Sequence, residues 1–381
     1  MNHNNLVKFI RDIYKTNEFI PLHAPVFDRT EKKYVADTID STFVSSVGAY
    51  VDRFEIGIAQ YTKSPGAVAT VNGTAALHVA LLMAGVSSGD LVITQALTFV
   101  ATANAIAYSG AEPIFLDVDK KTLGLSHIAL ESWLAEFAYV GGDGLCHLTL
   151  DDRVIRACVP VHIFGHPVKI DQIAAICEKW SITLIEDAAE SLGSLYKGKH
   201  TGTFGKFGTL SFNGNKIITT GGGGMVLSDS NEYEKLKHIT TTAKVAHPYN
   251  YFHNQVGYNY RLPNINAAIG CAQLEKLESF VHNKRELAKM YQEYFKGDEI
   301  EFMVEPEFSR SNYWLNAVIC QSTNQRDEFL KNTNEQGVMT RPIWSLMNKL
   351  PMYEHALVGD LSVSEWLEAR VVNLPSSVRV L

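Results

Sequence analysis

The segment Ser211-Phe212-Asn213-Gly214-Asn215-Lys216 sets a lysine among small residues, just ahead of the run Gly221 to Gly224. Upstream, Leu184-Ile185-Glu186-Asp187-Ala188-Ala189 reads as a buried strand ending in an acid. A lysine amine with small neighbours and partial desolvation is a nucleophile suited to a Schiff base with a carbonyl. A lone lysine is far more often a solvated surface residue, but Ile217-Ile218 and the glycine run argue for a constrained one. In an open α/β sheet, ligands gather beyond the carboxyl ends of the strands, where Asp187 would project. Its charge would favour a positive group opposite it. An amine for a Schiff base and an acid that keeps a ring nitrogen protonated are the requirements of pyridoxal phosphate. Asp187 alone reads more readily as a helix cap or loop acid.

A phosphate needs backbone N–H donors, best supplied at a helix start. Asn72-Gly73-Thr74-Ala75-Ala76 reads as a strand-to-helix turn with glycine for close approach and a capping hydroxyl, and Ser211 could add a second hydroxyl. An ordinary helix start has the same look. No GxGxxG loop follows the first strand, and Gly221 to Gly224 precede the strand Met225-Val226-Leu227, the wrong order for a dinucleotide fingerprint. Phe99, in Thr98-Phe99-Val100-Ala101-Thr102, lies at the same edge and could stack on a pyridine ring or fill the core. His162 and His166 stand at another strand end without a third ligand at usual spacing, so no metal site is expected.

The elements that must position these residues follow a βαβ rhythm. Strands are expected over 67–71, 91–94, 113–117, 155–161 and 182–186, with helices over 74–84, 101–108 and 172–180. This predicts an α/β fold with a mostly parallel sheet and helices on both faces. Residues 138–152 are turn-rich and read as a surface excursion. The character changes near 245: helices over 264–280 and 282–295 are followed by a strand over 313–320 and a helix over 325–332. The expected division is a large domain, 1–245, with an N-terminal arm, and a smaller C-terminal α+β domain, 246–381.

Composition bounds the function classes. The 381 residues carry a net charge of −7, 46% hydrophobic and 20% charged residues, as in an ordinary soluble globular protein. No basic run marks a nucleic-acid partner, and no apolar stretch is long enough to cross a bilayer. Leu6, Ile10 and Ile13 share a helical face, but Lys8, Arg11 and Asp12 interrupt any signal-peptide core. The five cysteines lack metal-ligand or CxxC spacing and read as reduced core thiols. A cytoplasmic enzyme is expected.

Together these motifs resemble the DegT family of sugar-nucleotide aminotransferases, of pyridoxal-phosphate fold type I. The stretches Asn72 to Leu77, Thr98 to Thr102, Glu186 to Glu190, Ser211 to Lys216 and Gly257-Tyr258-Asn259-Tyr260-Arg261 carry the resemblance, which spans almost the whole chain. It implies that Lys216 forms the internal Schiff base, Asp187 pairs with the ring nitrogen and Phe99 stacks on the ring. It further implies that Gly73, Thr74 and Ser211 hold the phosphate, joined by Asn259 from a neighbouring subunit in a homodimer with shared sites. Where many relatives carry Gln near the ring hydroxyl, this chain has Glu190. Family members with His in place of the lysine are dehydratases, so Lys216 favours amino transfer over dehydration. Some members have been proposed to be non-catalytic regulators.

Within the family, Ser41 to Gly48, Ser211 to Lys216 and Thr340-Arg341-Pro342-Ile343-Trp344 are similar to aminotransferases of legionaminic-acid and bacillosamine pathways, which build bacterial surface glycans. That likeness implies a UDP-linked 4-keto-6-deoxy-N-acetylhexosamine substrate and glutamate as amino donor. Ser45, Ser46, Arg341 and Trp344 are then candidate substrate contacts, with packing or turn roles equally open for each.

Overall fold

The structure, a computed structural model, describes residues 3–380. Seven strands build most of the large sheet: β1 (Gly66–Thr70), β2 (Leu91–Gln95), β3 (Glu112–Leu116), β4 (Ile155–Val159), β5 (Thr183–Asp187), β6 (Phe207–Ser211) and β7 (Gly224–Ser228). Four more lie further along the chain: β8 (Glu301–Phe302), β9 (Asn316–Ile319), β10 (Arg341–Pro342) and β11 (Leu357–Val358), before β12 (Val371–Leu374). The large sheet runs β1-β7-β6-β5-β4-β2-β3-β11. Pairings from β6 through β5, β4, β2 and β3 to β11 are parallel. Only β7 runs antiparallel to its neighbours β1 and β6. This is the α/β architecture with a mostly parallel sheet that the βαβ rhythm predicts. The central strands β2, β5 and β7 are buried almost throughout. Burial of successive positions, rather than of alternate ones, is that of a sheet covered on both faces.

The helices are α1 (His3–Tyr14), α2 (Arg29–Asp40), α3 (Ala49–Thr62), α4 (Gly73–Met83), α5 (Val100–Tyr108), α6 (His127–Phe137), α7 (Ile170–Lys179) and α8 (Ser230–Thr240), then α9 (Asn264–Leu274), α10 (Leu277–Tyr294), α11 (Thr323–Glu335) and α12 (Ser362–Glu368). Leu77 and Leu81 of α4, Ile106 of α5 and Leu236 of α8 pack against Val92, Val159 and Val226 of the sheet. Leu134 of α6 and Ile173 of α7 pack with Ile93, Cys158 and Leu184. Helix α4 is apolar and buried along its middle, as a helix sandwiched in a core must be.

The second sheet is antiparallel, in the order β8-β9-β12-β10. Leu6 and Ile10 of α1, Leu287 and Tyr291 of α10 and Phe329 of α11 close its core with Val318 and Val372. The expected apolar face of the first helix is therefore buried against strands from the far end of the chain. Just past position 245, α9 packs Ala267 and Cys271 with Val51, Phe54 and Ile58 of α3.

Two element boundaries differ from expectation. The break between α9 and α10 falls at Glu275-Lys276 rather than near 281. No glycine or proline marks it; Glu275 reaches Arg53 of α3 while Lys276 reaches Glu31 of α2. The strand expected over 313–320 is regular only from Asn316, because Tyr313 takes φ 48° and turns the preceding residues toward the large sheet. Among the described residues no helix is long and apolar enough to cross a membrane.

Candidate active site

The carboxyl ends of β2, β5 and β6 meet at one cavity of about 300 Å³. Asp187, Glu190 and Lys216 line it, with Gly73, Thr74 and Ser211 at one part and Phe99 and Trp344 at another. The sequence pattern brings these residues to one sheet edge, and the structure gathers them around one space.

Asp187 is the last residue of β5, and its backbone is fixed on both sides: its N–H donates to Pro160 O (2.9 Å) and its carbonyl accepts from His162 N (3.1 Å). Its neighbour Glu186 points to the other face of the strand, as period-two alternation requires. There one carboxylate oxygen accepts from Phe204 N (2.5 Å) and Gly205 N (2.8 Å). The other oxygen accepts from Gly202 N (2.8 Å) and His162 Nε2 (3.0 Å). Val168 N donates to His162 Nδ1 (3.2 Å), so the proton of this ring faces Glu186. Burial alone would raise the Glu186 carboxyl, but His162 and these backbone N–H groups outweigh it and hold it below its ordinary value.

On the cavity side, Thr102 Oγ1 donates to Asp187 Oδ2 (2.9 Å), and Ala189 N donates to Oδ1 (3.2 Å). Burial still wins, pushing the Asp187 carboxyl above its ordinary value against the pull of Thr102, Ala189 and Lys216. Glu190 is raised in the same way by burial, and Asp187 adds to the rise. A further positive charge beside either carboxyl would favour its ionised form.

Lys216 follows β6 in a turn closed by its N–H donating to Asn213 O (3.0 Å). Its Nζ donates to Glu190 Oε1 at 3.3 Å and lies 3.9 Å from the Trp314 ring centroid. The other Glu190 oxygen accepts from Phe164 N (2.8 Å), where Phe164 is held at φ 55°. A bulky residue at positive φ is strained backbone, of a kind that clusters at functional sites.

The opening turn of α4 faces the cavity. Asn72 caps the helix through Ala75 N (2.7 Å), which leaves the N–H groups of Gly73 and Thr74 to face outward. A side chain at Gly73 would put its Cβ 2.9 Å from Ser211 Cβ, so only glycine lets β6 and this turn approach each other. Gly224, the last of the glycine run, performs the same service: a Cβ there would lie 2.3 Å from Asn72 O. Phe99, about half exposed, closes another wall beside Trp344 (centroids 6.2 Å apart), which itself packs on Phe164.

The remaining candidates lie outside the cavity. Ser45 is exposed, and its carbonyl accepts from Asn264 N; Ser46 is half-buried in the same loop. Arg341 is exposed and donates to Asn334 Oδ1 (3.0 Å) and Thr340 O (2.9 Å). Asn259 is exposed and accepts from Arg261 (3.0 Å). His166 is buried edge-on against Tyr313. Among the described residues, no group of three His, Cys, Asp or Glu could hold a metal. Sequence reasoning missed Trp314, which reads as a strand residue, and Thr102, whose one signal is its place in the stretch after β2.

The donor set fits pyridoxal phosphate. Two outward N–H groups at a helix start and the Ser211 hydroxyl suit a phosphate, the Phe99 face suits an aromatic ring, and Asp187 and Lys216 suit a pyridine nitrogen and an aldehyde carbon.

The profile of the family described as DegT/DnrJ/EryC1/StrS aminotransferase matches residues 25–380. GDP-perosamine synthase of Escherichia coli O157:H7 is 37% identical over 365 residues, covering 94% of this chain and 93% of that protein. EpsN of Bacillus subtilis (strain 168), named as a pyridoxal phosphate-dependent aminotransferase, is 37% identical over 363 residues, covering 94% and 90%. The crystal structure of the aminotransferase TlmJ from Streptoalloteichus hindustanus superposes with a TM-score of 0.84 at 26% identity, covering 94% of this chain and 93% of that one.

Proposed function

We propose a reaction for this chain from one premise: it belongs to the DegT/DnrJ/EryC1/StrS aminotransferase family, whose members are pyridoxal-phosphate-dependent sugar aminotransferases. When bound, the cofactor supplies an electron sink and a carrier for the amino group. Gly73 and Thr74 N–H and the Ser211 hydroxyl hold its phosphate, and Phe99 covers one ring face. Asp187 keeps a proton on the pyridine nitrogen. Lys216 would hold the cofactor through its amine and, as a free amine, would move a proton between its Nζ and the substrate carbon. Glu190 accepts a hydrogen bond from the Lys216 amine (3.3 Å) and can share its proton.

The amino donor is L-glutamate, and the acceptor is C4 of a nucleotide-linked 4-keto-6-deoxy sugar. UDP-4-keto-6-deoxy-N-acetylglucosamine, for surface-glycan synthesis, is the acceptor favoured by the motifs around Ser41 to Gly48 and Thr340 to Trp344. A GDP-linked 4-keto sugar is the second reading, favoured by the name of the E. coli relative. Trp344 faces the cavity, and Ser45, Ser46 and Arg341 are proposed contacts for the nucleotide-bearing end. A homodimer would bring Asn259 of one copy to the phosphate of the other, which accounts for its exposure in the single chain.

The observation that carries this reading is the half-buried Lys216 amine, set in the same cavity as Asp187, Ser211 and the α4 turn. The test offers glutamate with a panel of UDP-, dTDP- and GDP-linked 4-keto sugars and follows 2-oxoglutarate and the amino-sugar. Release of both with one sugar, abolished in Lys216→Ala, supports the reading. A dehydrated sugar with no nitrogen gained would make the chain a dehydratase. Bound cofactor that never yields 2-oxoglutarate would make it a regulatory binder.

A further inference from the structure

The Lys216 amine meets two groups, Glu190 and the indole of Trp314. An ammonium over an indole face is attracted to the negative face of the ring, more strongly where water is excluded. The indole is tied down at several points. Its Nε1 donates to Asn215 O (2.7 Å), the carbonyl next to Lys216 itself, and its backbone N–H donates to Asn312 Oδ1 (2.8 Å). Asn312 in turn donates to the carbonyl of Glu190 (2.9 Å), so one side chain sets both neighbours of the lysine amine.

The remaining tie is less expected. Trp314 O accepts from Lys284 Nζ (3.0 Å), and the same amine nitrogen donates to Ser376 O. Lys284 lies in α10, fully buried, with two carbonyls as its acceptors. Burial pushes its amine well below the ordinary lysine range. A buried lysine without a carboxylate costs free energy that a methionine of similar length would not. What it delivers is a fixed position for two carbonyls, and one of these belongs to the residue covering Lys216.

We propose that Trp314 is a positioning residue that holds the Lys216 amine toward the cavity and screens it from solvent, and that Lys284 acts through Trp314 as its clamp. This rests on Lys216 being the cofactor-holding amine, as read above.

The test is a double-mutant cycle of Trp314→Leu and Lys284→Met, singly and together, with Lys284→Gln retaining one donor. Full-length apoprotein is treated with trinitrobenzenesulfonate, and modification of Lys216 is followed by peptide mass spectrometry. Removing the indole should speed modification about tenfold or more, and Lys284→Met about threefold to tenfold, with Lys284→Gln between it and the wild type. In the double variant the rate should stay within about twofold of Trp314→Leu, because residues acting through one another are not additive. Turnover with glutamate should fall in the same order, with kcat down about thirtyfold and KM within about threefold.

Unchanged Lys216 reactivity in Trp314→Leu, or rates that multiply in the double variant, would overturn the proposal. If Lys284→Met shows no cooperative melt, Trp314→Phe decides. It keeps a ring but loses the N–H, so a reactivity between wild type and Trp314→Leu supports the proposal and one equal to either refutes it. Borohydride reduction of the wild-type holoenzyme separates the two levels. A cofactor label on another lysine brings down the functional reading and this inference together. A label on Lys216 with unchanged reactivity in Trp314→Leu overturns this inference alone.

Discussion

Replacing Glu186 by glutamine keeps the side chain's size and changes one oxygen to an amide nitrogen. In the wild type four donors converge on two buried oxygens: the N–H groups of Gly202, Phe204 and Gly205, and His162 Nε2. Whichever way the amide turns, its NH2 meets two of these donors. His162 cannot relieve the clash by moving its proton, because Val168 N–H already occupies Nδ1. Each orphaned buried donor costs about 1–3 kcal/mol, so with two of them the loss should be roughly 3–5 kcal/mol. At about 2 °C per kcal/mol for a long chain, Tm should fall by roughly 6–10 °C.

Scanning calorimetry of both proteins measures this, and pH adds a second check. Because the folded-state Glu186 carboxyl is held below its ordinary value, its contribution is fully present above the unfolded value of about 4.3 and is lost as pH falls through the folded one. Glu186→Gln lacks that contribution at every pH, so the gap between the two proteins should narrow in acid below about pH 4.3. A gap under about 1 kcal/mol at pH 7, or one that widens in acid, would refute the view that this clasp sets the end of β5.

On the proposed pairing of Asp187 with the pyridine nitrogen, Asp187→Asn removes a charge whose influence is about tenfold to a thousandfold on that protonation, so kcat should fall about as much. Single-turnover kinetics with glutamate check this, and near-normal rates would exclude the pairing. Gly73→Ala drives a Cβ to 2.9 Å from Ser211 Cβ; losing one charge-assisted hydrogen bond of about 1.5–3 kcal/mol should weaken cofactor retention tenfold or more, measured by equilibrium dialysis. His166, pushed down to about 4 by burial, binds fewer protons folded than unfolded. Its share of the stability lost between about pH 6.5 and 4 should reach about 3 kcal/mol at the lower end, beside the losses from the buried His23 and His200. Urea melts of His166→Phe should lack that loss; an unchanged acid limb would show that His166 does not titrate this way.

Much of the site is legible in the residues themselves. Asp187, Ser211 and Phe99 sit at or just past strand ends, and the alternation of side chains along any strand already sends Asp187 and Glu186 to opposite faces. The α4 turn is legible for the same local reason, since Asn72-Gly73-Thr74 joins a strand to a helix with a cap and a glycine. The glycine run is legible as room, but what it makes room for is not: Gly224 is pressed on Asn72 O, which is remote in sequence. Trp314 and Lys284 carry no local mark. Trp314 reads as one residue of a strand, and Lys284 lies between Asn283 and Arg285 in what reads as a solvated helix.

By itself, then, the sequence determines the α/β order, the strand-end acid and lysine, and the glycine-cushioned turn, because periodicity and turn chemistry act over a few residues. Only the tertiary structure decides which side chains the cavity admits. It includes Trp344, Thr102 and Trp314, and within one chain it leaves Ser45, Arg341 and Asn259 outside. It also decides that α1 packs against the C-terminal strands and that Lys284 is buried. Those outcomes depend on desolvation, which is set by whichever distant segment comes to cover a residue.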